Sequence, residues 1–183
     1  MIKDTIVQFV CFLTNLELDE FSPEWERYGD QLKNKKAEPV LLQQATEAKN
    51  KFRFVSAHVW PERDFHFTFI NERPSKYFPE NKVRILQAGG YKPIRIEKSR
   101  SAANADNRIL AFISHNETDI AFYQQLSLYS SLNIYQAFYE SCTYGYVLDF
   151  FVSEMNTNEL LHQLNLRTGL ETGIYRECLI PQD

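Results

Sequence analysis

Two histidines flank a proline-containing turn in the stretch HVWPERDFHF, which begins at His58. If residues 61–63 are the loop between two paired strands, His58 lies directly opposite His66. Trp60 then lies opposite Asp64, and the Cβ atoms within each pair are about 5 Å apart. Two imidazoles at that spacing could share a divalent metal ion, or one could transfer a proton while a carboxylate orients it. The pattern makes His58, His66 and Asp64 candidate catalytic residues and Trp60 a candidate ligand-binding residue, without assigning a metal site.

The same stretch also has a purely structural interpretation. Side chains alternate along a strand, so within residues 52–60 His58 lies on one face and Val55, Ala57 and Val59 lie on the other. The second set is predicted to face the helices, which leaves His58 on the helix-free face. A pair of half-exposed histidines in a polar stripe needs no function, and spacing alone carries little functional weight, so this interpretation is favoured. A two-residue turn would instead put the histidines on different faces.

Acidic and aromatic residues in the second half of the chain could complete a site. If two sheets face each other, Glu140 or Asp149 could supply a carboxylate to the histidine pair. Tyr175, on the last predicted strand, is a further candidate ligand-binding residue. The favoured alternative is that the acids line an exposed rim or pair with arginines, because unpaired carboxylates are rarely buried. The arginines considered for this role are Arg53, Arg63 and Arg95.

No motif in the sequence identifies a reaction or a cofactor. There is no GxSxG, HExxH or Walker pattern. The many aromatic residues suggest haem or flavin, but aromatic residues at alternating strand positions are far more often ordinary core. His115 could be an axial ligand or a surface residue, and the surface is favoured. The cofactor therefore stays unknown.

The composition excludes several classes of protein. The 183 residues are 44% hydrophobic and 14% aromatic, which supports a sizeable core and excludes a disordered chain. The net charge of −4 leaves no basic field for a nucleic-acid backbone. The apolar stretch at residues 5–13 is too short to span a bilayer and does not resemble a signal peptide. Cys11, Cys142 and Cys178 have no metal-binding spacing and are predicted to be reduced thiols in a cytoplasmic protein.

A polar, small-residue stretch divides the chain near its middle and is predicted to be a linker at residues 99–107. The first unit is predicted to cover residues 1–98 and the second residues 108–183. In the first unit, β-branched and aromatic runs and helix-capping signals predict strands at 5–13, 52–60, 64–70 and 91–97, helices at 21–36 and 79–90, and a helical insertion at about 37–50.

The second unit shows the same order of signals. The predicted elements are strands at 108–114, 133–142, 145–154 and 172–180 and helices at 116–132 and 156–169. Each unit therefore has the order βαββαβ, with the insertion as the main difference between them. The repeat is one of pattern, because few residues are identical between the two units.

A βαββαβ unit is the ferredoxin-like arrangement, in which helices cover one face of a four-stranded antiparallel sheet. Two units in one chain resemble a tandem member of the dimeric α+β barrel superfamily. The resemblance rests on the order of elements and implies an α+β fold with the two sheets packed face to face as an intrachain barrel. Strands that are apolar on both faces, such as VLDFFV and IVQFVCFL, support it because the second face also needs a cover.

The resemblance does not select a reaction. The superfamily includes monooxygenases, isomerases, decarboxylating enzymes and haem-associated proteins, and it places a ligand site between sheet and helices or between the two sheets. The leading hypothesis is a small-molecule-binding or regulatory module. One alternative is a monooxygenase- or isomerase-like enzyme that uses a His/carboxylate pair in the barrel cavity. Another is a structural or oligomerisation protein in which the insertion docks a partner; a homo-oligomer is left open.

Overall fold

The computed structural model describes residues 5–45, 51–70, 78, 81–96, 107–116, 120–126, 130–167 and 169–178. Within these residues the chain forms eight strands and four helices. In chain order they are β1 (Ile6–Thr14), α1 (Leu18–Asn34), β2 (Glu38–Gln44), β3 (Phe54–Trp60), α2 (Arg63–Ile70), β4 (Val83–Arg95), β5 (Asn107–Ile113), α3 (Ile120–Gln125), β6 (Ser131–Ala137), β7 (Tyr146–Val152), α4 (Glu154–Asn165) and β8 (Leu170–Glu177).

The eight strands form one closed antiparallel barrel in the order β1-β3-β2-β8-β5-β7-β6-β4. Strands β1 to β4 are contiguous in this order, and so are β5 to β8. The two groups join where β2 pairs with β8 and where β4 pairs with β6. The prediction of an α+β protein with antiparallel sheet is confirmed. Closure of the barrel gives each of these strands a partner strand on both sides, along at least part of its length.

Three apolar clusters show how the barrel and its helices pack. One cluster contains strand and loop residues but no residue of a helix, and it fills the inside of the barrel, here called the lumen; it includes Phe9, Cys11, Tyr91, Phe112, Tyr135 and Tyr175. A second cluster joins α1 and α2 to the outside of the first four strands, and a third joins α3 and α4 to the outside of the others. Among the described residues, none of the helices is long and apolar enough to cross a membrane.

The helical insertion predicted at about 37–50 is wrong for the residues that can be checked. Residues 38–44 form β2, which pairs with β3 on one side and β8 on the other. Leu41 belongs to the second cluster, which packs against α1 and α2, and Leu42 belongs to the cluster in the lumen. Adjacent apolar residues are therefore buried on opposite faces of a strand. The same pair of leucines also fits a helix, which explains the error. Residues 46–50 lie outside the described part of the chain.

The predicted hairpin around Pro61 is also wrong, because residues 63–70 form the helix α2 instead of a strand. His66 and Phe69 are its buried residues and are three positions apart, which is a helical spacing. The cross-strand pairing of His58 with His66, and of Trp60 with Asp64, therefore does not exist. Aromatic content favoured a strand, but the burial of one helical face determined the structure.

The prediction of a helix at residues 79–90 is wrong for the described residues 81–90. The strand β4 begins at Val83 and includes both glycines. The whole strand runs alongside β1, with Phe9 opposite Gly89 and Gln8 opposite Gly90. The two glycines are thus inside a strand and are not the end of a helix. In the second unit, by contrast, the predicted strands, the hairpin of β6 and β7 and the helix α4 are present. The linker prediction lies outside the described residues except for Asn107, which begins β5.

Candidate ligand site between the sheet and its first two helices

His58 faces the helices and belongs to a fully buried chain of hydrogen bonds. The Trp25 indole Nε1 on α1 donates to Ser56 Oγ over 2.9 Å. Ser56 Oγ lies 2.6 Å from His58 Nε2, and His58 Nδ1 lies 3.1 Å from Gln8 Oε1. Because Ser56 already accepts from the indole, its proton is available to His58 Nε2, and Nδ1 then donates to the amide oxygen of Gln8. The hydrogen bond to Gln8 places a proton on His58 Nδ1, and burial favours the neutral imidazole.

The prediction of which face of β3 meets the helices is wrong. Val55 and Ala57 line the lumen, whereas Phe54, His58 and Trp60 face α1 and α2. Both faces of this strand are buried and apolar, so alternation alone cannot tell which face is covered by helices. His58 is 0% exposed and is therefore not half-exposed in a polar stripe, as the structural interpretation assumed.

His66 lies on the same outer face and contacts two aromatic rings. It makes an edge contact with Trp60 at 5.5 Å between ring centroids and stacks on Tyr139 at 5.5 Å. Its Nδ1 is 3.0 Å from the Tyr139 hydroxyl. Its Nε2 and the Nε1 of Trp60 are both buried and have no hydrogen-bond partner within the described part of the chain. We call these rings, with Tyr139 and Gly90, the His66–Trp60 site.

Gly90 provides the space that the His66–Trp60 site needs. A Cβ atom at this position would lie 2.7 Å from His66 Cε1 and 2.8 Å from Tyr139 Cε2. Real Cβ atoms do not approach other atoms so closely, so any larger residue would displace one of the two rings. The glycine in β4 therefore allows an imidazole from α2 and a phenol from the β6–β7 connection to meet over the sheet.

We expect Gly90→Ala to lower the free energy of unfolding by about 1–3 kcal/mol, because the added methyl group overpacks the two rings. Gly29→Ala is the matched control: on α1 the new Cβ would meet Trp25 Cζ3 at an ordinary 3.7 Å. That change should stabilise the protein by up to about 1 kcal/mol, since alanine is the better helix former. Urea unfolding of both variants measures the difference. Equal stability of the two variants would contradict the close packing at Gly90.

Burial sets the protonation of both imidazoles. Desolvation, with a smaller contribution from the neighbouring His66, lowers the pKa of His58 to about 3. Desolvation also lowers the pKa of His66 to about 4. Both rings are therefore neutral at neutral pH. A neutral imidazole can donate one hydrogen bond and accept one, but it is a weak base.

The two predicted carboxylate partners Asp64 and Glu140 are not buried with the histidines. Asp64 is in the first turn of α2, with its side chain 86% exposed and 3.6 Å from Arg63. Glu140 is exposed in the connection between β6 and β7. Gln8 holds the position beside His58 where a carboxylate was expected. The described residues contain no group of three or more His, Cys, Asp or Glu side chains that could hold a metal ion.

Asp149 and Tyr175 lie in the lumen, on the other face of the sheet from His58. Asp149 is 0% exposed and accepts two hydrogen bonds from Arg108, over 2.7 and 2.8 Å. The Tyr175 hydroxyl donates to the carbonyl oxygen of Phe52 over 3.2 Å. The prediction that Asp149 approaches the histidine pair is therefore wrong. Its pairing with an arginine agrees with the favoured alternative, although the partner is Arg108 and not one of the three arginines considered.

Several residues of the site were not found from the sequence. Gln8 interrupts an otherwise apolar strand, and a polar residue at a fully buried strand position signals a buried hydrogen bond. Ser56 carries the same signal within β3. Tyr139 and Trp25 carry no such signal, because their approach depends on how the helices and the β6–β7 connection fold over the sheet.

The barrel order and the position of the helices define the class of protein: the chain has the dimeric α+β barrel fold that the order of elements predicted. Solved structures of chlorite dismutase from Candidatus Nitrospira defluvii share it. One mutant of that enzyme has a TM-score of 0.56 at 8% identity and covers 94% of this chain and 91% of its own. The complex of the enzyme with imidazole has a TM-score of 0.54 at 10% identity, with the same coverage.

At these identities the likeness shows the fold alone. A further mutant of chlorite dismutase, in complex with cyanide, is equally similar, with a TM-score of 0.54, 9% identity and coverage of 94% and 90%. Comparison of the sequence with protein-family models and with curated proteins finds no match.

Haem, which occurs among proteins of this fold class, does not fit His58, whose two ring nitrogens are both hydrogen-bonded, and it does not fit His66 or His115. His66 has a buried ring nitrogen without a described partner, but its ring is enclosed by Trp60, Tyr139 and the close approach to Gly90. A macrocycle at His66 would have to displace both aromatic rings. His115 uses Nε2 for a 2.7 Å hydrogen bond to the carbonyl oxygen of Cys142.

Proposed function

We propose that the chain is a small-molecule-binding module built from two ferredoxin-like repeats, with its ligand at the His66–Trp60 site. The observation that carries the proposal is the pair of buried ring nitrogens, His66 Nε2 and Trp60 Nε1, that have no partner among the described residues. Leaving a buried polar group unpaired costs about 1–3 kcal/mol. A molecule that supplies hydrogen bonds to both rings removes that cost.

The repeat part of the proposal is supported by the strand order. Both halves have the element order βαββαβ. Around the barrel the first half contributes β4-β1-β3-β2 and the second β8-β5-β7-β6, so equivalent strands occupy equivalent places.

The protonation of the histidines supports binding over catalysis. A general base works best when its pKa is near the operating pH, and burial keeps the pKa values of His58 and His66 near 3 and 4. Ser56 is next to His58, but it accepts a hydrogen bond from Trp25 and is 0% exposed. The alternative of a His/carboxylate enzyme would also need an acid beside the pair, and Gln8 is there instead.

The site also indicates what kind of contacts a ligand would make. The surrounding side chains are neutral and aromatic, with Phe69 and Tyr28 extending the cluster around Trp60. A small molecule with one hydrogen-bonding head would satisfy the two ring nitrogens and place its apolar part against these side chains. An ordered water molecule could satisfy the same atoms, so the experiment must separate ligand from water.

We expect a thermal-shift screen of small neutral aromatic molecules to yield compounds that raise the melting temperature of the full chain. Trp60→Phe keeps an aromatic ring but removes the unpartnered N–H together with part of the indole, so it should weaken these compounds about tenfold and also lower stability through lost packing. Trp25→Phe is the matched control: it removes an N–H that is already bonded to Ser56 and should reduce stability while leaving affinity intact. Unchanged affinity in Trp60→Phe, or a screen without any stabilising compound, would contradict the proposal.

A further inference from the structure

The hydroxyl of Tyr139 is the hydrogen-bond partner of the His66 ring. It lies 3.0 Å from His66 Nδ1, and the two rings stack at 5.5 Å between centroids. The other ring nitrogen, Nε2, is buried and has no partner in the described part of the chain. A neutral imidazole carries a single ring proton. Which nitrogen carries that proton in His66 therefore depends on whether Tyr139 or His66 donates in this one bond.

The chemistry of the two groups decides which of them donates. A phenol, with a pKa of about 10, gives up its proton far more readily than the N–H of a neutral imidazole does. The unprotonated imidazole nitrogen is in turn a better acceptor than a phenol oxygen. Desolvation raises the pKa of Tyr139, so the hydroxyl keeps its proton at neutral pH. Tyr139 therefore donates to Nδ1, and the proton of His66 is on Nε2.

His58 has the opposite arrangement on the same face of the sheet. Its ring proton is on Nδ1, toward Gln8, because Ser56 supplies a proton to Nε2. Both of its ring nitrogens are thus bonded within the protein. Burial keeps both imidazoles neutral at neutral pH. The two histidines should therefore differ in the position of their proton, and His58 is an internal reference for His66.

With its proton on Nε2, His66 joins Trp60 as a buried donor without a described acceptor. The indole nitrogen can only donate. The two rings are in edge contact at 5.5 Å between centroids, so both unpartnered N–H groups belong to one cluster. A ligand that bonds to them must carry acceptor atoms. An N–H group of the ligand at these positions would leave every donor unpaired, which is costly in a buried site.

The charges near the site favour an acceptor without charge. Both imidazoles are neutral, and Arg63, the one arginine of α2, has an exposed side chain 3.6 Å from Asp64. The charge of Arg63 is therefore both solvated and paired. An anion that left water for two neutral N–H groups would lose its hydration with little in return. A carbonyl oxygen accepts hydrogen bonds at a much smaller cost of desolvation.

We propose that Tyr139 is a positioning residue that holds the ring proton of His66 on Nε2, so that the His66–Trp60 site selects molecules with an uncharged hydrogen-bond acceptor such as a carbonyl oxygen. The proposal rests on the proposed function, because it names the class of molecule that the same site takes.

The position of the proton is measured on the full chain without any ligand. In long-range nitrogen–proton NMR spectra at neutral pH, we expect Nε2 of His66 to have the shift of an N–H nitrogen and Nδ1 that of an unprotonated one. His58 should show the reverse, and His66→Gln assigns the signals. Tyr139→Phe keeps the stacked ring and removes the O–H, so both nitrogen signals of His66 should move toward intermediate values.

Tyr144→Phe is the matched control for this variant. It removes a hydroxyl from the same connection between β6 and β7, but that hydroxyl bonds to Lys51 instead of His66. The nitrogen signals of His66 should stay in place. A change that both variants share would indicate a general loosening of the connection, and it would overturn the positioning role of Tyr139.

Three probes built on one benzene ring test the selectivity: acetophenone as an uncharged acceptor, aniline as an uncharged donor and benzoate as a charged acceptor. Titrations followed by the indole signal of Trp60 give their affinities. We expect acetophenone to bind about tenfold more tightly than either of the others. In Tyr139→Phe its advantage over aniline should fall to about threefold, because only Trp60 then keeps a fixed N–H. Tyr144→Phe should retain the tenfold advantage.

The acceptor preference is overturned if the free protein has the proton of His66 on Nδ1, or if aniline or benzoate binds more tightly than acetophenone. The wild-type spectra and titrations decide these points even if Tyr139→Phe does not fold. These results would leave the proposed function intact, since a ligand would still bind at the rings. The proposed function itself fails if no compound of the wider thermal-shift screen moves the ring signals of His66 and Trp60, and the acceptor preference then fails with it.

Discussion

Replacing either Arg108 or Asp149 by alanine is expected to lower the free energy of unfolding by about 3–5 kcal/mol. The two side chains form a bidentate ion pair inside the barrel, with Asp149 0% and Arg108 16% exposed. Removing one partner leaves the other charge in the lumen without compensation. Urea unfolding at neutral pH measures the loss.

Two controls separate this effect from loss of packing. The double change Arg108→Met with Asp149→Leu removes both charges and should restore most of the stability, because a buried pair is often no better than well-packed apolar residues. Breaking the exposed pair of Lys33 and Asp30, 3.9 Å apart on α1, should cost less than about 0.5 kcal/mol. If Asp149→Ala costs as little as Asp30→Ala, the ion pair is not buried as described.

Mild acid is expected to destabilise the protein by about 4 kcal/mol between pH 7.5 and pH 5. The folded-state pKa values of His58 and His66, about 3 and 4, are below the value of about 6.5 in the unfolded chain. The unfolded chain therefore binds more protons in this range, and stability is lost as pH falls below about 6.5. Each histidine contributes about 1.4 kcal/mol per pH unit, or about 2 kcal/mol at pH 5.

Urea unfolding at several pH values between 5 and 7.5 measures this dependence, in a range that keeps most carboxylates ionised. His58→Gln and His66→Gln should each reduce the slope of stability against pH by about half, whatever their effect on stability at neutral pH. A wild-type stability that stays flat down to pH 5.5 would mean that the imidazoles are hydrated and not buried.

Most of the second half of the fold was predictable because its elements carry clear patterns; the exception is the helix predicted at residues 116–132, since residues 131 and 132 already belong to β6. The β6–β7 hairpin has short β-rich runs around a turn, and α4 has helical spacing with end signals. In the first half, the local patterns conflict with the tertiary structure. Residues 63–70 have strand composition but form α2, and residues 81–90 show helical spacing but pair along β1. Long-range pairing determines both, and sequence-local signals do not contain it.

In the candidate site, too, local patterns pointed to some of the residues, whereas long-range contacts determine how those residues meet. His58, His66 and Trp60 were selected as a group, and they do lie on one face of the sheet, but through a helix crossing instead of a hairpin. The face itself was mispredicted because both faces of β3 are buried. The pairing of His66 with Tyr139, 73 positions along the chain, depends on Gly90 in a third element, and no local pattern predicts it.

The most direct measurement of the central claim uses the two tryptophans of the chain, which give two indole N–H signals in nitrogen–proton NMR spectra. Trp25→Phe and Trp60→Phe assign the signals. The account predicts that the Trp60 proton resonates upfield of the hydrogen-bonded Trp25 proton, and that a stabilising compound moves the Trp60 signal downfield while the Trp25 signal stays in place. A Trp60 signal that is unaffected by every stabilising compound would contradict a ligand at the His66–Trp60 site.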